Sequence, residues 1–315
     1  MDRDSSIYVD RVVIDKLITE KLSKVSHRYN LNAERPTEPF GQLGSIDPQP
    51  IAPRRRDHQR WLMQSALQSP YEQNNSVPVH YRPAKTERNI LLFAHGLFED
   101  NPEIYNYLFS QLHEKQVSIY WYTLPFHYER KPDQSAFGGE YFWSADLLRT
   151  ITSFEQSVYD LYQLYNWLCD RHPLLPVSLA GFSMGAGMAM MLAAVAPSIR
   201  RVFLINPICT FSEMIWAGPL NATIKRDLLH QHISLEQVNE IFAPYNPENL
   251  PNIGVVKDKV AIVYGQYDQI NPPHYYQNLS EQWRFNTVIV YKAGHLNTLR
   301  VPRLARDLAA FINQN

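Results

Sequence analysis

From Val77 onward, short apolar segments alternate with longer segments of helical character. Seven segments have the length and the β-branched or aromatic content of strands: VPVHYR, NILLFAHG, SIYWYTLP, VSLAGF, RVFLIN, VAIVYGQYD and NTVIVYKAG. Several are apolar throughout, as strands buried on both faces are. Because parallel strands require crossover connections, and helical segments lie between these strands, the sequence predicts an α/β fold. We expect a three-layer sandwich around a mostly parallel sheet.

Two parts of the chain fall outside this alternation. In residues 1–76 we expect a helix from Val9 to about Val25, docked on the protein, and then an irregular proline-rich arm. Residues 208–255 separate two predicted strands and contain helical stretches. A connection of this length predicts a helical cap inserted into an α/β domain of residues 77–315.

The composition argues against several classes of protein. The chain has 315 residues, 45% of them hydrophobic, and its 30 Lys and Arg against 31 Asp and Glu give a net charge of −1. This balance provides no long-range field that would attract nucleic acid, and the one basic run, residues 54–56, is expected to be a solvated loop. No apolar run approaches the roughly 18 residues of a membrane span, and the N-terminus lacks a signal-peptide core. We therefore expect a soluble, cytoplasmic protein.

Ser183 lies where a predicted strand meets a predicted helix, between Gly181 and Gly185 in the segment GFSMG. A serine in such a sharp turn is held in a strained backbone conformation, and the two glycines remove Cβ atoms that would collide there. A serine that only caps a helix does not need both glycines. The pattern therefore predicts a nucleophile.

Two further residues supply what a serine nucleophile requires. A hydroxyl group is a poor nucleophile near neutral pH until a base takes its proton, and an acid must orient that base. Asp268 ends one predicted strand and His295 follows the next. Since the carboxyl ends of parallel strands meet at one edge of a sheet, we expect both residues beside Ser183 as a catalytic triad.

Ester cleavage also needs N–H donors for the oxyanion of the tetrahedral intermediate. We expect one from Met184 at the start of the nucleophile helix and one from Leu97, with Phe98 second, in the loop after the strand NILLFAHG. Substrate contacts are expected from Phe98, from His127 in a loop bordering the pocket, and from Trp216 in the cap. The alternative for the apolar residues around Trp216 is that they only attach the cap to the sheet.

The sequence resembles the α/β-hydrolase superfamily over roughly residues 77–315. The resemblance rests on four signals in order: His95-Gly96, the GFSMG segment, Asp268 and Gly294-His295. It implies a serine hydrolase that works through an acyl-enzyme. The segment LPFHYERKPDQSAFGGEYF is also similar to a stretch in uncharacterised bacterial members of this superfamily, which adds no activity.

The resemblance does not specify the reaction. We expect hydrolysis of a carboxylic ester of a small molecule, or less readily of a thioester or amide, with no cofactor and no metal. The same triad supports acyl transfer to another nucleophile, including peroxide. A non-catalytic binding protein on the same fold is a further alternative, against which the complete triad argues. The sequence leaves the oligomeric state open.

Overall fold

The computed structural model describes residues 2–29, 40, 54–55, 60–246, 249–250 and 257–314. The strands are β1 (Arg54–Arg55), β2 (Arg60–Gln64), β3 (Ser76–Arg82), β4 (Asn89–Ala94), β5 (Val117–Tyr122), β6 (Val177–Phe182), β7 (Val202–Ile205), β8 (Val260–Gly265) and β9 (Thr287–Tyr291). The α-helices in these ranges are α1 (Arg3–Glu20), α2 (Glu72–Asn75), α3 (Asn106–Glu114), α4 (Leu147–Arg171), α5 (Met184–Val195), α6 (Phe211–Ala217), α7 (Ala222–His230), α8 (Leu235–Phe242), α9 (Pro273–Trp283) and α10 (Leu304–Ile312).

The described strands form one sheet in the order β1-β2-β3-β5-β4-β6-β7-β8-β9. Strands β1, β2 and β3 pair antiparallel, and β3 pairs antiparallel with β5, whereas every pairing from β5 through β4 to β9 is parallel. The mostly parallel sheet and all seven predicted strands are confirmed. Strands β1 and β2 were not predicted. The prediction of a loop for residues 54–56 was wrong at Arg54 and Arg55, because their strand depends on pairing with β2.

The sheet separates two hydrophobic cores. In β4, Ile90 and Leu92 belong to the core beneath α4 and α5, whereas Leu91 and Phe93 belong to the core beneath α3 and α10. Successive side chains of a strand point to opposite faces, so a strand that is apolar throughout serves both cores. This arrangement is the expected three-layer sandwich.

Three helices lie in the interval 208–255, namely α6, α7 and α8; residues 247–248 and 251–255 fall outside the described ranges. Phe211 of α6 packs against Phe154 of α4 with ring centroids 4.6 Å apart, and against Phe242 of α8 at 6.1 Å. This aromatic cluster attaches the inserted helices to the layer formed by α4.

The N-terminal helix begins at Arg3, earlier than Val9, because Asp2 caps it by accepting a hydrogen bond from the Ser5 N–H at 2.9 Å. It packs against a 3-10 turn of the inserted segment, Pro219–Asn221, and against the turn Leu296–Arg300. Most of the predicted irregular arm falls outside the described residues. Every helix in the described ranges is too short or too polar to cross a membrane.

A buried ion pair anchors the loop that follows β5. Arg130 Nη1 lies 3.1 Å from Asp160 Oδ2 of α4, and both side chains are fully buried. Asp160 also accepts the Ala66 N–H at 2.8 Å, and Arg130 donates to the Thr123 carbonyl at 2.9 Å. The loop after β5, which carries His127, is therefore attached to α4 through this ion pair.

Replacing Asp160 should test how much this pair stabilises the fold. Asp160→Ala is expected to lower the free energy of unfolding by about 3–5 kcal/mol, because the Arg130 guanidinium would stay buried without its counter-charge. Urea unfolding followed by circular dichroism measures the change. Asp170→Ala, at an exposed position of the same helix, is the control and should stay within about 0.5 kcal/mol of the wild type. Equal small effects in both variants would contradict the prediction.

Candidate active site

Ser183 forms the turn between β6 and α5, with φ 53° and ψ −116°. Residues other than glycine rarely adopt a positive φ, so the backbone at Ser183 is strained and must be held by its surroundings. The Ser183 N–H donates to the Ile205 carbonyl at 2.8 Å, and the Ser183 carbonyl accepts the Gly187 N–H at 3.0 Å. The Ser183 side chain makes no capping hydrogen bond to α5, a helix described in full. These observations favour a nucleophile over a helix cap.

Gly181 and Gly185 permit the chain to pack closely on both sides of this turn. A Cβ atom on Gly181 would lie 2.4 Å from the Gly185 carbonyl oxygen, and one on Gly185 would lie 2.3 Å from the His95 carbonyl oxygen. Both distances are far inside van der Waals contact. The two glycines thus allow β6, α5 and the end of β4 to approach one another.

Asp268 and His295 form a buried pair, with Asp268 Oδ2 2.6 Å from His295 Nδ1. The same Oδ2 accepts the Tyr276 hydroxyl at 2.6 Å, and Oδ1 accepts the N–H groups of Ile270 and Asn271, each at 2.8 Å. A carboxylate surrounded by donors requires Nδ1 of His295 to carry its proton, which leaves Nε2 as the acceptor. This is the tautomer that a general base needs.

Opposing effects act on the pKa of His295. Burial disfavours the protonated ring and by itself lowers the pKa, whereas the Asp268 carboxylate raises it through its charge and its hydrogen bond. The carboxylates of Asp10 and Glu99 act in the same direction, so the pKa of His295 is raised above its usual value. The imidazolium that would form during proton transfer is therefore stabilised.

Ser183 and His295 line the same cavity, which has a volume of about 260 Å³. Its other walls come from α1, the loop after β4, the inserted helical segment and the loops after β8 and β9. These walls are mainly apolar, with contributions from Val13, Leu97, Ile104, Met214, Leu220 and Ile270. The cavity can therefore accept an apolar group beside the hydroxyl and the imidazole.

The two predicted oxyanion donors lie at this cavity. Met184 is the first residue of α5, where backbone N–H groups have no partner within the helix and the helix dipole is positive. In the loop after β4, the Phe98 N–H donates to His127 Nε2 at 3.2 Å. The Phe98 N–H, the second candidate, is therefore already bonded, and Leu97 stays the predicted donor of this loop. Both Leu97 and Phe98 lie in the cavity wall.

His127 is fully buried and does not line the cavity, so the expected substrate contact was wrong. Its Nδ1–H donates to the Pro125 carbonyl at 2.8 Å, which leaves Nε2 to accept the Phe98 N–H. Burial, with the nearby His95 ring, lowers the pKa of His127 well below its usual value and keeps the ring neutral. Through this bond His127 supports the loop after β4, residues 95–102, which is called the oxyanion loop here after its expected role.

Trp216 also lies outside the cavity wall, contrary to the prediction. Lys225 Nζ lies 4.9 Å from the centroid of its ring, and the side chain is half-buried. Residues two apart on a helix point in widely different directions, so Met214 faces the cavity and Trp216 does not. Met214 and Leu220, rather than Trp216, are the residues of this stretch that line the cavity.

Three polar residues at the site were not predicted from the sequence. Glu99 Oε1 accepts the Tyr105 hydroxyl at 2.5 Å, and Oε2 accepts the Tyr128 hydroxyl at 2.6 Å, which fixes the oxyanion loop. Asn206, the last residue of the segment RVFLIN, donates to the His295 carbonyl at 2.7 Å. The third is Asp10 of α1, whose carboxylate accepts the His295 N–H at 2.7 Å.

Comparison with solved structures finds α/β hydrolases of low sequence identity. An acetyl xylan esterase from Paenibacillus sp. R4 aligns with a TM-score of 0.61 and 14% identity, covering 93% of this chain and 98% of that one. GrgF from Penicillium sp. sh18 aligns at 0.53 and 13%, covering 75% and 93%. Est1E from Butyrivibrio proteoclasticus, bound to ferulic acid, aligns at 0.52 and 14%, covering 75% and 92%. At these identities the similarity shows the fold alone.

No curated protein sequence matches the chain. Residues 85–262, more than half of its length, match the family model described as serine aminopeptidase, S33. This match and the shared fold confirm the resemblance drawn from the sequence: the chain belongs to the serine aminopeptidase S33 family, within the α/β-hydrolase superfamily.

Proposed function

We propose that this protein is a serine hydrolase that cleaves carboxylic esters of small molecules through an acyl-enzyme. One observation carries the proposal: the hydrogen-bonded Asp268–His295 pair opens onto the same apolar cavity as the strained Ser183. With the proton on Nδ1, the His295 ring has Nε2 available to take the proton of the serine hydroxyl.

The chemistry follows from these positions. As Ser183 Oγ attacks the carbonyl carbon of the ester, its proton passes to Nε2 of His295, and the N–H groups of Met184 and Leu97 stabilise the oxyanion. The imidazolium then gives that proton to the departing alcohol oxygen. A water molecule, deprotonated by the same ring, attacks the acyl-enzyme and releases the acid together with free Ser183.

An ester is favoured over a peptide, although the family is described as serine aminopeptidase. Recognition of a substrate ammonium group requires an accessible carboxylate. Among the described residues of the cavity wall, Glu99 is the one carboxylate, and both of its oxygens already accept hydrogen bonds from Tyr105 and Tyr128.

The apolar walls favour an apolar acyl group. Each buried methylene contributes about 0.8 kcal/mol, so affinity should rise with chain length until the cavity is filled.

Acyl transfer and perhydrolysis would proceed through the same acyl-enzyme. The products formed when an alcohol or peroxide competes with water separate these reactions from hydrolysis.

Removing the Ser183 hydroxyl should abolish the reaction. Wild-type protein is expected to gain the mass of a fluorophosphonate probe at Ser183, and Ser183→Ala should lose both labelling and esterase activity, the latter by about 10³–10⁶-fold. Ser110→Ala, at an exposed position of α3, is the matched control and should behave as wild type. More than about a tenth of the activity remaining in Ser183→Ala, or an unlabelled wild type, would contradict the proposal.

Enlarging the cavity should change the preferred acyl chain. Leu220→Ala removes methyl groups from the wall and is expected to raise kcat/KM for longer p-nitrophenyl esters relative to shorter ones. A chain-length series provides the measurement. Trp216→Ala, which alters the inserted segment outside the cavity wall, should keep the wild-type preference. An equal loss at all chain lengths in both variants would show that Leu220 does not contact the acyl group.

A further inference from the structure

Helix α1 lies across the active site, between the inserted segment and the loop that carries His295. Val13 and Leu17 of this helix line the cavity. The match to the family model begins only at residue 85, so α1 lies outside the matched region. The helix closes one side of the cavity that Ser183 and His295 also line.

One carboxylate of α1 is buried directly behind His295. Asp10 is fully buried, and its Oδ2 accepts the N–H groups of His295 at 2.7 Å and Gln269 at 3.1 Å. Its Oδ1 accepts the Leu296 N–H at 3.3 Å. Gln269 directly follows Asp268, so the Asp10 side chain contacts two loops. They are the loop after β8, which carries the expected acid Asp268 (the acid loop), and the loop after β9, which carries the expected base His295 (the base loop).

The backbone of the base loop is shaped to admit this carboxylate. A Cβ atom on Gly294 would lie 2.6 Å from Asp10 Oδ2 and 2.8 Å from the Ser6 carbonyl oxygen. Glycine at this position lets the loop approach α1 closely enough for the hydrogen bonds to form. Burial, together with the Asp268 charge, raises the pKa of the Asp10 carboxyl above its usual value, whereas His295 and the N–H groups of His295 and Gln269 favour its ionised form.

The other end of α1 is attached to the oxyanion loop. Lys21, the C-cap residue that directly follows the helix, donates from Nζ to the Phe98 carbonyl at 3.0 Å and pairs with the Asp100 carboxylate. Through Asp10 and Lys21, α1 contacts the loops expected to supply the acid, the base and an oxyanion donor. A helix with only a packing role would not need these polar contacts at both ends.

We propose that Asp10 is a positioning residue of the active site, which fixes the base and acid loops against each other and makes α1 part of the catalytic unit. This inference rests on the proposed function, because it requires His295 to be the base. Asp10 acts through the backbone of His295 and through its charge. Among the described residues, the carboxylates whose charges raise the pKa of the His295 imidazole are Asp268, Asp10 and Glu99.

The rate of fluorophosphonate labelling at Ser183 as a function of pH tests the role without a known substrate. Asp10→Asn keeps an acceptor oxygen but removes a negative charge that raises the pKa of His295. Because only the neutral ring acts as a base, the acidic limb of the profile should move to lower pH. The plateau rate should fall by about 10–100-fold, since one backbone hydrogen bond is lost and the ring is held less accurately.

Two further variants separate positioning from folding. Asp10→Ala removes every acceptor and should lower the plateau more than Asp10→Asn, so the amide variant acts as a partial rescue. Asp15→Asn makes the same chemical change at an exposed position of α1 and should leave both limb and plateau unchanged. Circular dichroism at the assay temperature selects folded preparations, and Asp10→Asn alone decides the question if Asp10→Ala does not fold.

The outcomes distinguish this inference from the proposed function. One outcome is that the wild type is labelled and folded Asp10→Asn has the same acidic limb and the same plateau rate in its pH profile. This result would overturn the role of Asp10 and leave the hydrolase proposal intact. If Asp10→Asn melts at a lower temperature but keeps the wild-type pH profile of labelling, the positioning role is overturned as well, because only a structural role would remain. Absence of labelling in the wild type would instead overturn the hydrolase proposal itself.

Discussion

The close approach of β4, β6 and α5 at one turn is the constraint on which the candidate site depends. Ser183 can hold its positive φ only if strand and helix pack without Cβ atoms at Gly181 and Gly185. The strain is local, and it is balanced by burial of the apolar helix α5 beneath the sheet. A larger residue at either glycine would separate the layers and move the hydroxyl away from the imidazole.

The site concentrates negative charge around one ring. Asp268 contacts the His295 ring directly, whereas Asp10 accepts the backbone N–H of His295 and acts on the ring through its charge. Glu99 is held by the Tyr105 and Tyr128 hydroxyls and also acts through its charge. In a buried site such charges are poorly screened, so they stabilise the imidazolium more than they would in water. The proposed base is thus tuned by carboxylates from three parts of the chain.

Support for the oxyanion loop comes from residues that do not touch the cavity. His127 accepts the Phe98 N–H, and the loop that carries His127 is anchored by the buried Arg130–Asp160 pair. A residue can therefore be important for the geometry of the site while making no contact with substrate. The same distinction applies to Asp10, which the sequence placed on an ordinary docked helix.

The sequence by itself determined the strands from β3 to β9 and the order in which Ser183, Asp268 and His295 follow their strands. Strand and helix patterns depend on neighbouring residues, and Ser183, Asp268 and His295 follow strand ends whose meeting point is set by parallel topology. Only the tertiary structure decided that His127 faces away from the cavity, that Met214 rather than Trp216 forms its wall, and that α1 brings a carboxylate to the base. Those facts depend on contacts between residues far apart in the chain, such as Asp10 with His295, which no local pattern records.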